Sequence, residues 1–298
     1  MKTLLLAFGL TTALAGTAMA QDIKEFNIGI LGGENAQDRL ASTECLRAKT
    51  EELLGVPVKL FTPADYDGVI QGLLGGTLDY AWLGAAAYAK VYLTDPEAVD
   101  IMLTKQNVDG TTGYFSIAFA KADSGIKSIE DAKGKVFAFA DPNSTSGFLV
   151  PAAELTAKYG KLEDYFAQVK MSGGHEQTIV GVANGDFEAG VAWADGLGNW
   201  EDGYTSGAFR KAADAGLVDM NTIVEIWRSS MIPEGPLVVR RDLPQDVKDK
   251  VYAMMDTMWA DDKECAYNVA AGDAKDFVPV EHSAYEGILA ARKLQEGL

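Results

Sequence analysis

Three consecutive hydroxyls, Ser144-Thr145-Ser146, stand between Asp141-Pro142-Asn143 and Gly147. The apolar run Val136-Phe-Ala-Phe-Ala140 before them reads as a buried strand, and Gly147 to Tyr159 after them reads as a helix. At such a junction, free backbone N–H groups and the positive end of the helix dipole favour an anion. Hydroxyls add donors that rotate to suit tetrahedral oxygens. Gly147 allows the backbone to approach closely. The plainer reading of the same string is a capped helix, for which one serine suffices. The string lacks Gly-x-x-x-x-Gly-Lys, so it is no nucleotide-binding loop. Ser144 or Ser146 with His175 and Asp195 would compose a hydrolase. No Gly-x-Ser-x-Gly elbow is present, however, and three hydroxyls in a row suit binding better than one activated nucleophile.

The elements that must carry this loop alternate. Phe26–Leu31, Val56–Phe61 and Leu78–Leu83 read as strands. Between and after them lie helices over Gln37–Leu54 (with Leu40, Cys45, Leu46, Leu53 and Leu54 on its buried side), Tyr66–Leu74 and Ala85–Leu93. Such alternation indicates a mostly parallel sheet covered by helices. Near Gly113 the pattern changes. Tyr114–Ala120 is extended and Ile129–Ala132 a short helical turn. Then follow the strand into the Asp141 loop, strand Gln168–Met171, helix Glu176–Asn184 and strand Ala189–Trp193. A second extended run goes from Ile223 through Arg240, and the tail from Pro244 is mainly helical, with Val247, Val251, Met254 and Met255 as one buried stripe. Two α/β units joined by two extended segments predict two lobes. The first is discontinuous, residues 21–116 and 234–298; the second is 117–233. Clefts between such lobes are common ligand sites.

The N-terminus reads as a secretory leader over residues 1–20, with Lys2, the apolar run Leu4–Ala15 and the small-x-small pattern Ala18-Met19-Ala20. Hydrophobic residues make up 48% of the chain, enough for substantial cores. A net charge of −17 argues against nucleic acid and anionic lipid as partners. Two cysteines, Cys45 and Cys265, form either a disulfide in an oxidising compartment or two separate buried thiols. They can meet only if the C-terminal helices fold back on the first lobe. Two histidines, with no Cys/His cluster at ligand spacing, give no reason to expect a metal site.

The string Asp141-Pro-Asn-Ser-Thr-Ser-Gly-Phe-Leu-Val-Pro151 resembles the signature of the phosphonate-binding proteins of ABC transporters, within the phosphate/phosphite/phosphonate-binding family. The resemblance continues in Asp65-Tyr66, Gln71-Gly72, Asp79, Ala81-Trp82, Gly113-Tyr114, Gly174-His175-Glu176, Val182-Ala183-Asn184 and Trp227-Arg228-Ser229 to Pro233. It implies an α/β type II periplasmic-binding fold, two lobes joined by two extended hinge segments with the ligand in the cleft. It also implies a periplasmic, monomeric, non-enzymatic importer component without cofactor, which delivers an organophosphonate to an inner-membrane permease. The resemblance implies that Ser144, Thr145 and Ser146, with Tyr66, Tyr114 and His175, hold the phosphonate oxygens. On their own the tyrosines read as packing residues and His175 as a helix-terminal residue.

In relatives that bind 2-aminoethylphosphonate, two acids receive the ammonium. One position matches Asp195; the other matches Gly235, with Glu234 beside it. The resemblance therefore puts 2-aminoethylphosphonate first as ligand, with phosphite, methylphosphonate or another short phosphonate as the alternative. A periplasmic sensor would share the same features. Trp82 and Trp193 either flank an alkyl chain or fill the cores beneath the cleft. No Arg or Lys lies in the motifs that carry the expected site residues, so neutral donors and helix dipoles are expected to hold the anion.

Overall fold

A computed structural model describes residues 23–32 and 36–298. The expected leader and Gly33 lie outside the described residues. The chain opens with β1 (Phe26–Gly29), α1 (Ala36–Leu54), β2 (Val58–Phe61), α2 (Tyr66–Leu74), β3 (Tyr80–Trp82), α3 (Ala85–Thr94) and β4 (Val99–Gln106). It continues with β5 (Gly113–Lys121), β6 (Val136–Phe139), a π-helical turn at Thr145–Leu149 leading into α4 (Val150–Tyr159), α5 (Leu162–Tyr165), β7 (Gln168–Met171), α6 (His175–Asn184), β8 (Ala189–Ala194), α7 (Ala208–Asp214), β9 (Ile223–Arg228) and β10 (Ile232–Pro233). It ends with β11 (Pro236–Arg240), α8 (Gln245–Asp256), α9 (Met258–Asp261), α10 (Lys263–Ala270), β12 (Asp276–Pro279) and α11 (Glu286–Glu296).

These strands form two sheets. The first runs β12-β4-β11-β3-β1-β2; the second runs β10-β5-β8-β6-β7, with β9 also paired to β5. β1 pairs in parallel with β2 and β3, whereas the returning β11 inserts antiparallel between β3 and β4. Each sheet buries apolar side chains on both faces. Phe26, Ile28 and Phe277 mark one face of the first sheet, and Ala81, Leu83 and Tyr285 the other. In the second sheet, Ile117 and Phe209 mark one face, and Phe137, Phe139 and Leu155 the other. The C-terminal helices complete the first lobe, with Met255 and Cys265 in one of its cores and Tyr285, Ile288 and Leu289 in the other. Cys45 of α1 is bonded to Cys265 of α10, with their Cα atoms 5.7 Å apart.

The chain passes between the sheets twice, through residues 107–112 and 234–235. The two crossings touch, since Glu234 N–H donates to the Thr112 carbonyl at 3.0 Å.

Several local expectations are corrected. Leu40 is exposed, and α1 instead buries Arg39, whose guanidinium donates to the Leu31 carbonyl at 2.6 Å. The extended run from Ile223 is three strands, and the helical tail also contains the strand β12. The helix expected from Gly147 starts two residues earlier as a π-turn. Val247, Val251 and Met255 are buried, while Met254 is only half-buried.

Candidate ligand site between the lobes

A cavity of about 240 Å³ lies where the two lobes meet, and four helix N-termini reach its wall. They belong to α2 at Tyr66, α3 at its N-cap Gly84, the π-turn into α4 at its N-cap Ser144, and α6 at His175. Each brings backbone N–H groups and a positive dipole end, so a chain with a large negative net charge still builds a local anion site.

The loop between β6 and α4 is fixed from within. Asp141 Oδ1 accepts the Asn143 N–H at 2.7 Å, Ser144 Oγ accepts the Gly147 N–H at 3.0 Å, and Ala140 N–H donates to the Gly147 carbonyl at 2.8 Å. A Cβ at Gly147 would meet Ala140 Cβ at 2.6 Å and Ser144 Oγ at 2.7 Å, so only glycine lets the turn close this tightly. Leu149 N–H reaches back to the Ser144 carbonyl at 3.0 Å, widening the first turn. Such π-turns are frequent at functional sites. Ser116 of β5 donates its hydroxyl to the Ser146 carbonyl at 2.7 Å and locks the loop to the sheet.

The three hydroxyls face different partners. Ser144 Oγ shares a hydrogen bond with His175 Nε2 at 3.1 Å. Thr145 Oγ1 accepts the Ala86 N–H across the cleft at 2.8 Å. Burial pushes the Tyr114 phenol up, so it remains a neutral hydroxyl at physiological pH. The side chains of Ser146 and Thr145 stand beside the Tyr114 hydroxyl and favour its ionised form. Tyr66, Tyr114, Ser144, Thr145, Ser146 and His175 all line the one cavity. All six are buried.

The two candidate acids part company. Glu234 lines the cavity; Asp195 is not among the lining residues. The Asp195 carboxylate accepts the Thr205 hydroxyl on Oδ2 and the Leu197 N–H on Oδ1 at 3.1 Å. Glu234 is paired with Lys105, Oε1 to Nζ at 2.9 Å. Burial pushes the Glu234 carboxyl up; the Lys105 ammonium pulls it down and the Asp195 charge pushes it up. Gly235 has no room for a side chain, because a Cβ there would stand 1.9 Å from the Leu83 carbonyl oxygen. Its own carbonyl accepts from Trp82 Nε1 at 2.9 Å and Thr104 Oγ1 at 3.0 Å. Trp193 packs edge-on against Tyr114 with ring centroids 5.5 Å apart, and both tryptophans line the cavity.

Neutral donors are not the whole of the lining. Arg39, Lys105 and Lys211 also line the cavity, and none belongs to the quoted motifs. Lys105 sits at the end of β4, a strand the sequence reading passed over. Among the described residues, no cluster of His, Cys, Asp and Glu could hold a metal ion.

A convergent wall of hydroxyls, phenols and helix N-termini between two lobes is the geometry of a binding cleft. The family model described as "ABC transporter, phosphonate, periplasmic substrate-binding protein" matches residues 28–285. The chain belongs to this family. As a phosphonate-family substrate-binding protein it is the periplasmic binding component of an ABC importer and not an enzyme. It is similar to the phosphonates-binding periplasmic protein of Escherichia coli (strain K12), 31% identical over 254 residues, which cover 82% of this chain and 69% of that protein. It is also similar to the phosphate-import protein PhnD of Mycolicibacterium smegmatis, 28% identical over 280 residues, 88% of this chain and 83% of that protein. The solved structure of PhnD1 from Prochlorococcus marinus (MIT 9301) in complex with methylphosphonate matches with a TM-score of 0.77 at 19% identity, covering 92% of this chain and 99% of that one. At that identity the match shows the shared two-lobed type II fold. No helix among the described residues is long and apolar enough to cross a membrane.

Proposed function

We propose that this substrate-binding protein holds an organophosphonate in the cavity by closure of its two lobes, and passes it as a monomer to an inner-membrane permease. The observation that carries the reading is that four helix N-termini reach the one cavity that the Ser144-Thr145-Ser146 residues line. In this reading the phosphonate oxygens take hydrogen bonds from those hydroxyls and their amides, from Tyr66 and Tyr114, and from His175. The sheet of β1–β4, β11 and β12 moves with its helices as one lobe and the sheet of β5–β10 as the other, with the crossings at 107–112 and 234–235 as the hinges.

2-Aminoethylphosphonate would place its ammonium at Asp195 and Glu234. Both carboxylates already have internal partners, which favours the alternative, a short phosphonate without an amine. The methylphosphonate-bound relative supports a small ligand, and the phosphate-import relative makes inorganic phosphate the necessary competitor.

A thermal-shift panel tests the reading with methylphosphonate, ethylphosphonate, 2-aminoethylphosphonate, phosphite and phosphate. A phosphonate should raise the melting temperature more than phosphate does at equal concentration. A shift with phosphate alone would overturn the assignment.

A further inference from the structure

Lys105 is 2% exposed, yet its ammonium reaches the ligand cavity. The Nζ lies 2.9 Å from Glu234 Oε1, donates to Ser206 Oγ at 2.8 Å, and stands 5.1 Å from the centroid of the Trp193 ring. A carboxylate, a hydroxyl and an aromatic face are the three kinds of partner that hold an ammonium in a desolvated place. Such a place is what the amine of an aminoalkyl ligand would seek. Here the protein's own amine occupies it, supplied by β4 at one crossing between the lobes and paired to Glu234 at the other.

Two further features agree. Among the described residues, the charged lining holds Arg39, Lys105 and Lys211 beside the acid Glu234. Gly235 cannot be replaced by a second acid, because the Leu83 carbonyl fills the position of its Cβ.

We infer that Lys105 is the specificity-determining residue of the cleft, an internal ammonium that excludes ligand amines and selects phosphonates bringing no cation. The inference rests on the phosphonate reading and fixes the class within it. A ligand ammonium would have to displace Lys105 from Glu234 or lie beside it as a like charge, and like-charge contact in a desolvated site is strongly unfavourable.

Ethylphosphonate and 2-aminoethylphosphonate differ only in the amine, so titration calorimetry with this pair reads the selection directly. The wild-type protein should prefer ethylphosphonate by about tenfold or more. Lys105→Met frees Glu234 and should shift the ratio toward the amine by about tenfold or more. Because that variant leaves Glu234 unpaired in the core, Lys105→Met/Glu234→Gln serves as the second variant. It removes both charges and should bring the two ligands to within about threefold of each other. Wild-type preference for 2-aminoethylphosphonate would overturn the inference, as would a ratio unmoved in a variant that still binds ethylphosphonate. Failure of the wild-type protein to bind either compound or methylphosphonate would instead overturn the phosphonate reading itself.

Discussion

The hydroxyl oxygen of Thr145 accepts the Ala86 N–H at 2.8 Å, so the second lobe caps a helix of the first. Gly84, the N-cap residue of α3, has no side chain to do so, and a Cβ there would come within 3.2 Å of Thr145 Oγ1. The missing side chain and the approaching hydroxyl therefore belong together. Other bonds join the lobes beside it. Tyr66 N–H donates to Asp141 Oδ2 at 3.4 Å, and Arg292 of α11 donates to the Pro142 carbonyl at 3.1 Å and to Asn143 Oδ1. Elsewhere along the cleft, Gly207 N–H donates to the Ala271 carbonyl at 2.9 Å, and Asp273 N–H to the Thr205 carbonyl at 3.0 Å.

Replacing Thr145 by valine keeps the volume and removes the cap. An N-cap contributes about 1 kcal/mol, and here it exists only when the lobes meet, so its loss should lower phosphonate affinity about fivefold in addition to the loss of the Thr145 hydrogen bond to the ligand. Small-angle scattering should show a larger fraction of open molecules at fixed ligand concentration. An unchanged affinity would detach the cap from closure.

Arg292 is 2% exposed, and its guanidinium holds the back of the anion loop. Arg292→Met keeps most of the packing and leaves two acceptors without this donor. Hydrogen bonds from a charged group contribute about 1.5–3 kcal/mol each, so urea unfolding should show a loss of about 2 kcal/mol or more at an unchanged slope. A change below experimental error would mean that water replaces the guanidinium.

How much of this was legible depends on how local each feature is. The Ser144-Thr145-Ser146 string could be read because its strand, turn and helix are contiguous, and α2 because Gly75 ends it. β4 was missed because polar residues at both ends break its pattern. Those residues are matched only in three dimensions, Asp100 by Arg241 at 2.8 Å and Lys105 by Glu234. The same non-locality hid Lys105 and Arg292 as parts of the site's surroundings. Asp195 was legible as a matched position, but its engagement by Thr205 and Leu197 is a property of the fold. The pairing of Cys45 with Cys265 stayed open because it depends on where α10 packs.

Burial pushes the Asp141 carboxyl above its ordinary 3.8; the N–H groups of Asn143 and Tyr66 pull it down, and the charges of Asp65 and Asp67 push it further up. The folded chain therefore keeps this proton to higher pH than the unfolded chain does. Its contribution to stability is fully present below the unfolded value and is lost as pH rises through the folded one. Asp141→Asn removes that loss, so the variant should gain stability relative to wild type between pH 4 and pH 7 in parallel denaturation series. A pH-independent difference would contradict the assignment.

The Cys45–Cys265 bond joins α1 and α10 within the first lobe. Its removal in a double alanine variant should cost about 2–4 kcal/mol of unfolding free energy, since it restricts the unfolded chain. Ligand affinity should stay unchanged, because both partners belong to one lobe. A parallel loss of affinity would show that the bond shapes the cleft.

The central claim is that Ser144, Thr145 and Ser146 receive a phosphonate group. Isothermal titration of methylphosphonate or ethylphosphonate into the wild-type protein and into Ser144→Ala/Ser146→Ala tests it most directly. The account expects saturable one-to-one binding in the wild type and a loss of about a hundredfold or more in the variant, from two hydrogen bonds to a charged ligand. Equal affinity in both proteins, with the variant folded, would contradict it.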